Sequence, residues 1–284
     1  MWRKAIFCIG GVIALVLCIG AVRFLLQKPS NDRNWATDQA VLATADIEGE
    51  NITIHNIRNF TYRSVSDFTP GYYDKTFKLA DLESVWYVVE PFSGHGLAHT
   101  FLSFGFAGGD YVAVSVEIRK EKGEAFSPLK GLLRNYELMY VIADERDVIQ
   151  LRSNFRNDQV YLYPVKTTPE RKKTLFLDML SRANKLAAKP EFYNSLFNTC
   201  TTNIVKHVNS IRPGRVPFNI AILFPDYSDH LAYDLGLFDT KLPWNEVRAH
   251  FNINERARAY ADDPEFSIRI RENTTTPPPA PLLN

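Results

Sequence analysis

The stretch His99–Arg119, HTFLSFGFAGGDYVAVSVEIR, decides the fold. It holds two alternating runs. Thr100, Leu102, Phe104 and Phe106 share one side of the first, and Val112, Val114, Val116 and Ile118 share one side of the second. Period-two alternation marks a half-buried strand, and the Ala107-Gly108-Gly109-Asp110 between the runs has the chemistry of a hairpin turn. Burying both apolar sides together requires Leu102 to face Val114, because a one-residue slip turns every side chain to the wrong face. That register leaves the three-residue loop Ala107-Gly108-Gly109, where glycine supplies the left-handed backbone. It also sets His99 opposite Glu117, with Ser103, Gly105 and Ser115 on their face. Directly opposed side chains have Cβ atoms about 5 Å apart, near enough for the carboxylate to orient the imidazole.

Working outward, strand patterns cover Asn51–Ile57, Ser84–Val89, Tyr136–Ile142, Val148–Arg152 and Val160–Val165, giving an antiparallel sheet. Ala143-Asp144-Glu145-Arg146-Asp147 reads as a charged turn. The second half is helical. Thr168-Pro169-Glu170 combines an N-cap, a first-turn proline and an early acid, and the apolar residues from Leu175 to Ala187 keep helical spacing up to Pro190. A second helix runs from Cys200 to about Ser210, with Ile204, Val208 and Ile211 on the cysteine's side. Helices packed after an antiparallel sheet make an α+β domain.

Cys200 opens that helix within Asn198-Thr199-Cys200-Thr201-Thr202-Asn203. Free backbone N–H groups in a first turn favour a thiolate and can hold an oxyanion. A thiol nucleophile needs a base steadied by a third polar group. His207 lies on the same helix and cannot fold back, while His55, His230 and His250 lack supporting context and His95 sits in a Gly-His-Gly loop. His99 with Glu117 therefore completes the candidate catalytic set with Cys200. Plainer readings exist: a small buried cysteine, a histidine at a sheet edge and a solvated strand glutamate. Candidate substrate contacts are Ser103 and Arg119 on Glu117's face, Tyr62 and Arg63 in an aromatic-rich segment, and Asn203 one turn beyond the thiol.

The 33 basic and 32 acidic residues are interspersed, which argues against a nucleic-acid partner. No phosphate-cradling glycine loop, CxxC pair or HExxH helix is present, so no metal or other cofactor is expected. Arg3 and Lys4 precede an uncharged apolar run, Ala5–Val22, near the roughly 17-residue lower limit for crossing a bilayer. It reads as a single-pass signal anchor over residues 1–27, with a cleaved signal peptide as the alternative; both export the rest of the chain. Residues 28–48 read as a linker, 49–262 as the domain and 263–284 as a Pro-rich disordered tail. Of the three cysteines, Cys8 and Cys18 lie in the apolar run, leaving Cys200 alone in the exported domain.

The strings NFTYRSVSDFTPGYYDKTFKLADLESV, AHTFLSFGF, SVEIRKEKGE, YELMYVIADERDVIQLR, PEFYNSLFNTCTTNIVKHV and AYDLGLFD carry a resemblance. Together, over roughly residues 55–255, they resemble the bacterial exported family called after the N-terminal periplasmic domain of the lipoprotein N-acyltransferase Lnb. The order of an early-strand His99 and a helix-opening Cys200 also resembles the permuted papain-like thiol enzymes, the group of lecithin:retinol acyltransferase. The resemblance implies a nucleophile at Cys200 and a base at His99, on a periplasmic domain held at the inner membrane. It implies a thiol-dependent acyltransferase or hydrolase, with a lipoprotein or lipid as substrate. Acyltransferases of this type would be expected to continue into further membrane helices, where this sequence runs into its Pro-rich tail. A cell-wall peptidase or amidase, or a non-catalytic periplasmic binding module, are the competing expectations.

Overall fold

The computed structural model describes residues 2, 11, 15, 18–92, 94 and 96–272. Most of the expected anchor, residue His95 and the end of the Pro-rich tail lie outside them. Among the described residues no helix is long and apolar enough to cross a membrane.

The hairpin forms as its alternation requires. Eight strands make one sheet: β1 (Thr44–Glu48), β2 (Asn51–Arg58), β5 (Tyr72–Lys78), β6 (Leu82–Pro91), β7 (Ala98–Phe106), β8 (Asp110–Arg119), β9 (Glu137–Asp144) and β10 (Tyr161–Pro164). Two more, β3 (Thr61–Tyr62) and β4 (Phe68–Thr69), pair separately. The order is β1-β2-β9-β8-β7-β6-β10, with β5 also against β2. Leu102 faces Val114, and the ladder closes at Phe106 and Asp110 around a three-residue loop in which Gly108 and Gly109 have φ of 88° and 87°. A side chain there would strain the backbone.

Each face of the sheet carries its own core. On one side Leu102, Phe104, Val112 and Val114 pack under α3 (Pro169–Ala188) and α4 (Cys200–Ile211), with Phe176, Met179 and Ile204. On the other, Phe101, Ala113, Met139 and Val141 pack against Val148 and Ile149 of α2 (Glu145–Gln150), with Phe266 and Ile270 behind them. Shorter helices complete the chain: α1 (Pro128–Leu132), α5 (Ser228–Asp234), α6 (Trp244–Phe251), α7 (Asn254–Ala259) and α8 (Phe266–Arg269).

Five readings of the sequence need correction. The sheet is mixed, because β2 runs parallel to β9 at Arg58 and Ala143. The expected strand Val148–Arg152 is helical: α2 continues into a π-helical turn, Leu151–Arg156, that ends at the left-handed Asn157. Short apolar runs do not distinguish strand from helix, and the deciding signal was Asp144, whose side chain caps the Arg146 N–H. The charged turn is no solvated loop either. Asp147 is buried and accepts from Arg58 Nη2 at 2.8 Å and the Phe60 N–H at 2.7 Å, and buried Glu145 pairs with Arg271 at 2.5 Å. Finally, residues 28–48 are part of the fold: Trp35 is buried, and β1 pairs with β2 along its length. The ordered chain likewise runs on through α8 to Arg271, past the expected boundary at 262.

Candidate active site

Thr199 caps α4. Its hydroxyl accepts from the Thr202 N–H, and the Thr202 hydroxyl accepts from the Thr199 N–H at 2.7 Å, a reciprocal capping box. Cys200 is thereby held as the first residue of the helix. It is 8% exposed, and its sulfur lies 3.7 Å from the Thr201 hydroxyl. Thr201 in turn bonds Thr100 of β7 at 3.0 Å, which fastens the helix start to the sheet.

His99 projects from the other face of β7, stacked on Phe101. Its Nε2 lies 2.7 Å from Ser115 Oγ, and the Ser115 hydroxyl donates to Glu117 Oε1 at 2.9 Å. Glu117 itself is 3.6 Å from Nε2, so the cross-strand pair meets mainly through serine. Because the hydroxyl gives its proton to the carboxylate, its oxygen must accept from Nε2–H. The network thus assigns the tautomer, and Nδ1 keeps its lone pair. Among the described residues Nδ1 has no hydrogen-bonding partner.

A buried arginine organises the acids around this chain. Arg152 Nε donates to Glu90 Oε2 at 2.5 Å and its Nη2 to Glu117 Oε1 at 3.1 Å, while Arg156 meets Glu90 at 3.3 Å. Burial pushes the Glu117 carboxyl up, but Arg152, His99 and Arg58 pull it further down, and it stays ionised. Burial and the adjacent Arg152 lower the His99 imidazole from 6.5 to about 4, so it is neutral at neutral pH. A neutral imidazole with a fixed tautomer is the form that can accept a proton.

Cys200, His99, Glu117, Arg152, Glu90 and Tyr193 line one cavity of about 610 Å³. Cys200 reaches it from the start of α4 and His99 from β7, whose first residue, Ala98, also lines it. The two make no direct hydrogen bond.

None of the expected substrate contacts lines this cavity. Ser103 is buried and donates to Glu145 at 2.5 Å. Arg119 is buried against Trp35 and donates to the carbonyls of Gln39 and Ala40, tying down the N-terminal segment. Asn203 braces the helix start through Asn198 and the Thr199 carbonyl. Tyr62 donates to Asp147 at 3.1 Å, and Arg63 is an exposed partner of Asp67. These side chains are already committed to holding the fold. Conversely, Ser115, Arg152 and Glu90 surround the imidazole without having been singled out for it. Ser115 was visible on the right face, whereas Arg152 was hidden by its misread helix.

A comparison with family models matches residues 68–226, more than half of the chain, to the Lnb N-terminal periplasmic domain. The chain belongs to the Lnb N-terminal periplasmic domain family. It is accordingly a periplasmic module, and the matched span includes Cys200, His99, Ser115, Glu117 and Arg152. No curated protein and no solved structure matches it.

Proposed function

We propose that this Lnb-type domain is a thiol-dependent acyltransferase or hydrolase, held at the periplasmic face of the inner membrane by its apolar N-terminus. The observation that carries the reading is the ordered chain from Glu117 through Ser115 to a neutral His99, which lines the same cavity as Cys200.

In this scheme Nδ1 takes the thiol proton across the cavity, directly or through one water. The thiolate attacks the carbonyl of an ester, amide or thioester, forming a C–S bond. The first-turn N–H groups of α4 receive the oxyanion. The imidazolium protonates the leaving group as its bond to carbon breaks, leaving a thioester on Cys200. An amine or water then attacks, giving its proton to His99, and the C–S bond breaks to restore the thiol. Glu117, acting through Ser115, keeps Nε2 protonated throughout. A nucleophile opening a helix and a base on an early strand is the order expected of a permuted papain-like enzyme, and lipid or lipoprotein acyl groups are the substrates that a membrane-held site would meet.

The test is incubation of the full chain with a p-nitrophenyl acyl ester. The scheme expects a burst of nitrophenolate stoichiometric with protein and an acyl adduct mapped to Cys200, both lost in Cys200→Ser. A wild-type protein that accumulates no Cys200 adduct and gives no burst would sink it.

A further inference from the structure

Residues Ser195–Phe224, SLFNTCTTNIVKHVNSIRPGRVPFNIAILF, contain no aspartate or glutamate, although the chain has 32. Their charged groups are Lys206, Arg212 and Arg215. Within the same stretch Phe197, Phe218 and Ile220 are 71%, 83% and 61% exposed. They are not scattered singly. Leu196, Phe197, Val205 and Phe218 line one groove of about 370 Å³, and Lys206 is the only charged residue lining it among the described residues. An exposed apolar surface of this kind marks an interaction site.

Its position in the molecule narrows the choice of partner. The Ser195 hydroxyl donates to the Pro128 carbonyl at 2.7 Å, setting the stretch beside α1, where Leu129 and Leu133 are also exposed. Just after α1, Arg134 lies 4.2 Å from the Phe24 ring and donates to the Phe24 carbonyl, and the Gln27 side chain donates to the Arg134 carbonyl. The chain therefore joins its apolar run Ala5–Val22 beside this same apolar, basic surface.

We propose that the face formed by residues 195–224 rests in the boundary between headgroups and acyl chains of a bilayer containing anionic lipid. Phe197, Phe218 and Ile220 enter the apolar edge, while Lys206 and Arg212 meet the headgroups and Arg215 stays on the Leu235 and Gly236 carbonyls. The face and the adjoining apolar run then act as two signals on one side of the domain, which is what stable, oriented attachment needs. A second copy is a poor occupant, because a symmetric contact would set Lys206 and Arg212 of the two copies against one another. The proposal does not depend on the thiol chemistry. It does give that chemistry an address, since α4 presents both Cys200 to its cavity and Val205 and Lys206 to the groove.

The experiment places a tryptophan at Phe218, whose exposure keeps the substitution clear of the core, and a control tryptophan at the exposed Ile47 of β1. The full chain is reconstituted in phosphatidylcholine vesicles with and without phosphatidylglycerol, and with brominated or ordinary acyl chains. The added emission of Phe218→Trp should shift to the blue and be mostly lost with brominated chains, more so with phosphatidylglycerol, while that of Ile47→Trp is unaffected. Phe218→Trp behaving like Ile47→Trp would overturn the proposal. So would a blue shift that follows protein density and ignores bromination, which would assign the face to a second copy.

Discussion

Replacing Arg152 by methionine removes the one cation shared by Glu90 and Glu117 while filling a similar volume. In the wild-type protein Glu90 is fully buried and Arg152 is 3% exposed, with its guanidinium over the Phe101 ring at 5.1 Å. Deleting one partner of a buried ion pair costs about 3–5 kcal/mol, because it leaves a charge uncompensated. Arg156 continues to meet Glu90, which favours the lower end. With a urea m-value of about 2–3 kcal/mol per molar for a domain of this size, the midpoint should fall by about 1–2 M at neutral pH. The pH dependence carries the sharper signature. Arg152 holds down both the Glu117 carboxyl and the His99 imidazole, so without it both rise and the variant's native state keeps protons that the wild-type native state sheds. Wild-type protein, with His99 depressed to about 4, gives up more stability as the pH drops below 6.5. The difference in midpoint between the two proteins should therefore shrink from pH 8 to pH 5. A neutral-pH shift below about 0.5 M, or a gap that widens on acidification, would refute the assignment of Arg152 as the counter-ion of this site.

Other consequences follow from the same contacts. Ser115→Ala cuts the link between His99 and Glu117; a hydrogen bond worth about 0.5–1.5 kcal/mol corresponds to a roughly two- to tenfold slower acylation of Cys200, read by stopped-flow release of nitrophenolate. Because the His99 imidazole is lowered from 6.5 to about 4, wild-type stability that is fully present above pH 6.5 should be lost progressively down to about pH 4. At about 1.4 kcal/mol per pH unit, that contribution is at most about 3.5 kcal/mol, and it should vanish from the urea pH profile of His99→Gln. Thr199→Ala removes the cap and one half of the capping box, so it should cost about 1 kcal/mol of stability. Circular dichroism during thermal unfolding measures that loss.

The sequence was most informative where a periodic pattern had one physical solution. Alternation around Ala107-Gly108-Gly109 admits one register, and that register brings His99 to Glu117 with Ser115 on their face. Thr199 and Cys200 were legible for a similar reason, since a cap and a helix start are local events. Arg152 was not legible, because a five-residue stretch such as Val148-Ile149-Gln150-Leu151-Arg152 is too short for its period to separate strand from helix. The burial of Asp147 and Glu145 was hidden by distance along the chain: their partners Arg58 and Arg271 come from opposite ends of the domain. Arg119 was chosen for sharing Glu117's face and Tyr62 for its aromatic setting, and nothing local reveals that each side chain already has partners in the fold. That sulfur and imidazole share a cavity while rising from different faces depends on where the sheet ends, which no pairwise register encodes.

The direct measurement of whether His99 serves Cys200 is the initial rate of iodoacetamide modification at Cys200, followed by peptide mass spectrometry in the folded full chain at neutral pH. The wild-type rate should exceed that of His99→Ala by on the order of tenfold or more. Equal rates in the two proteins, or a Cys200 that reacts only after urea has unfolded the domain, would contradict the account.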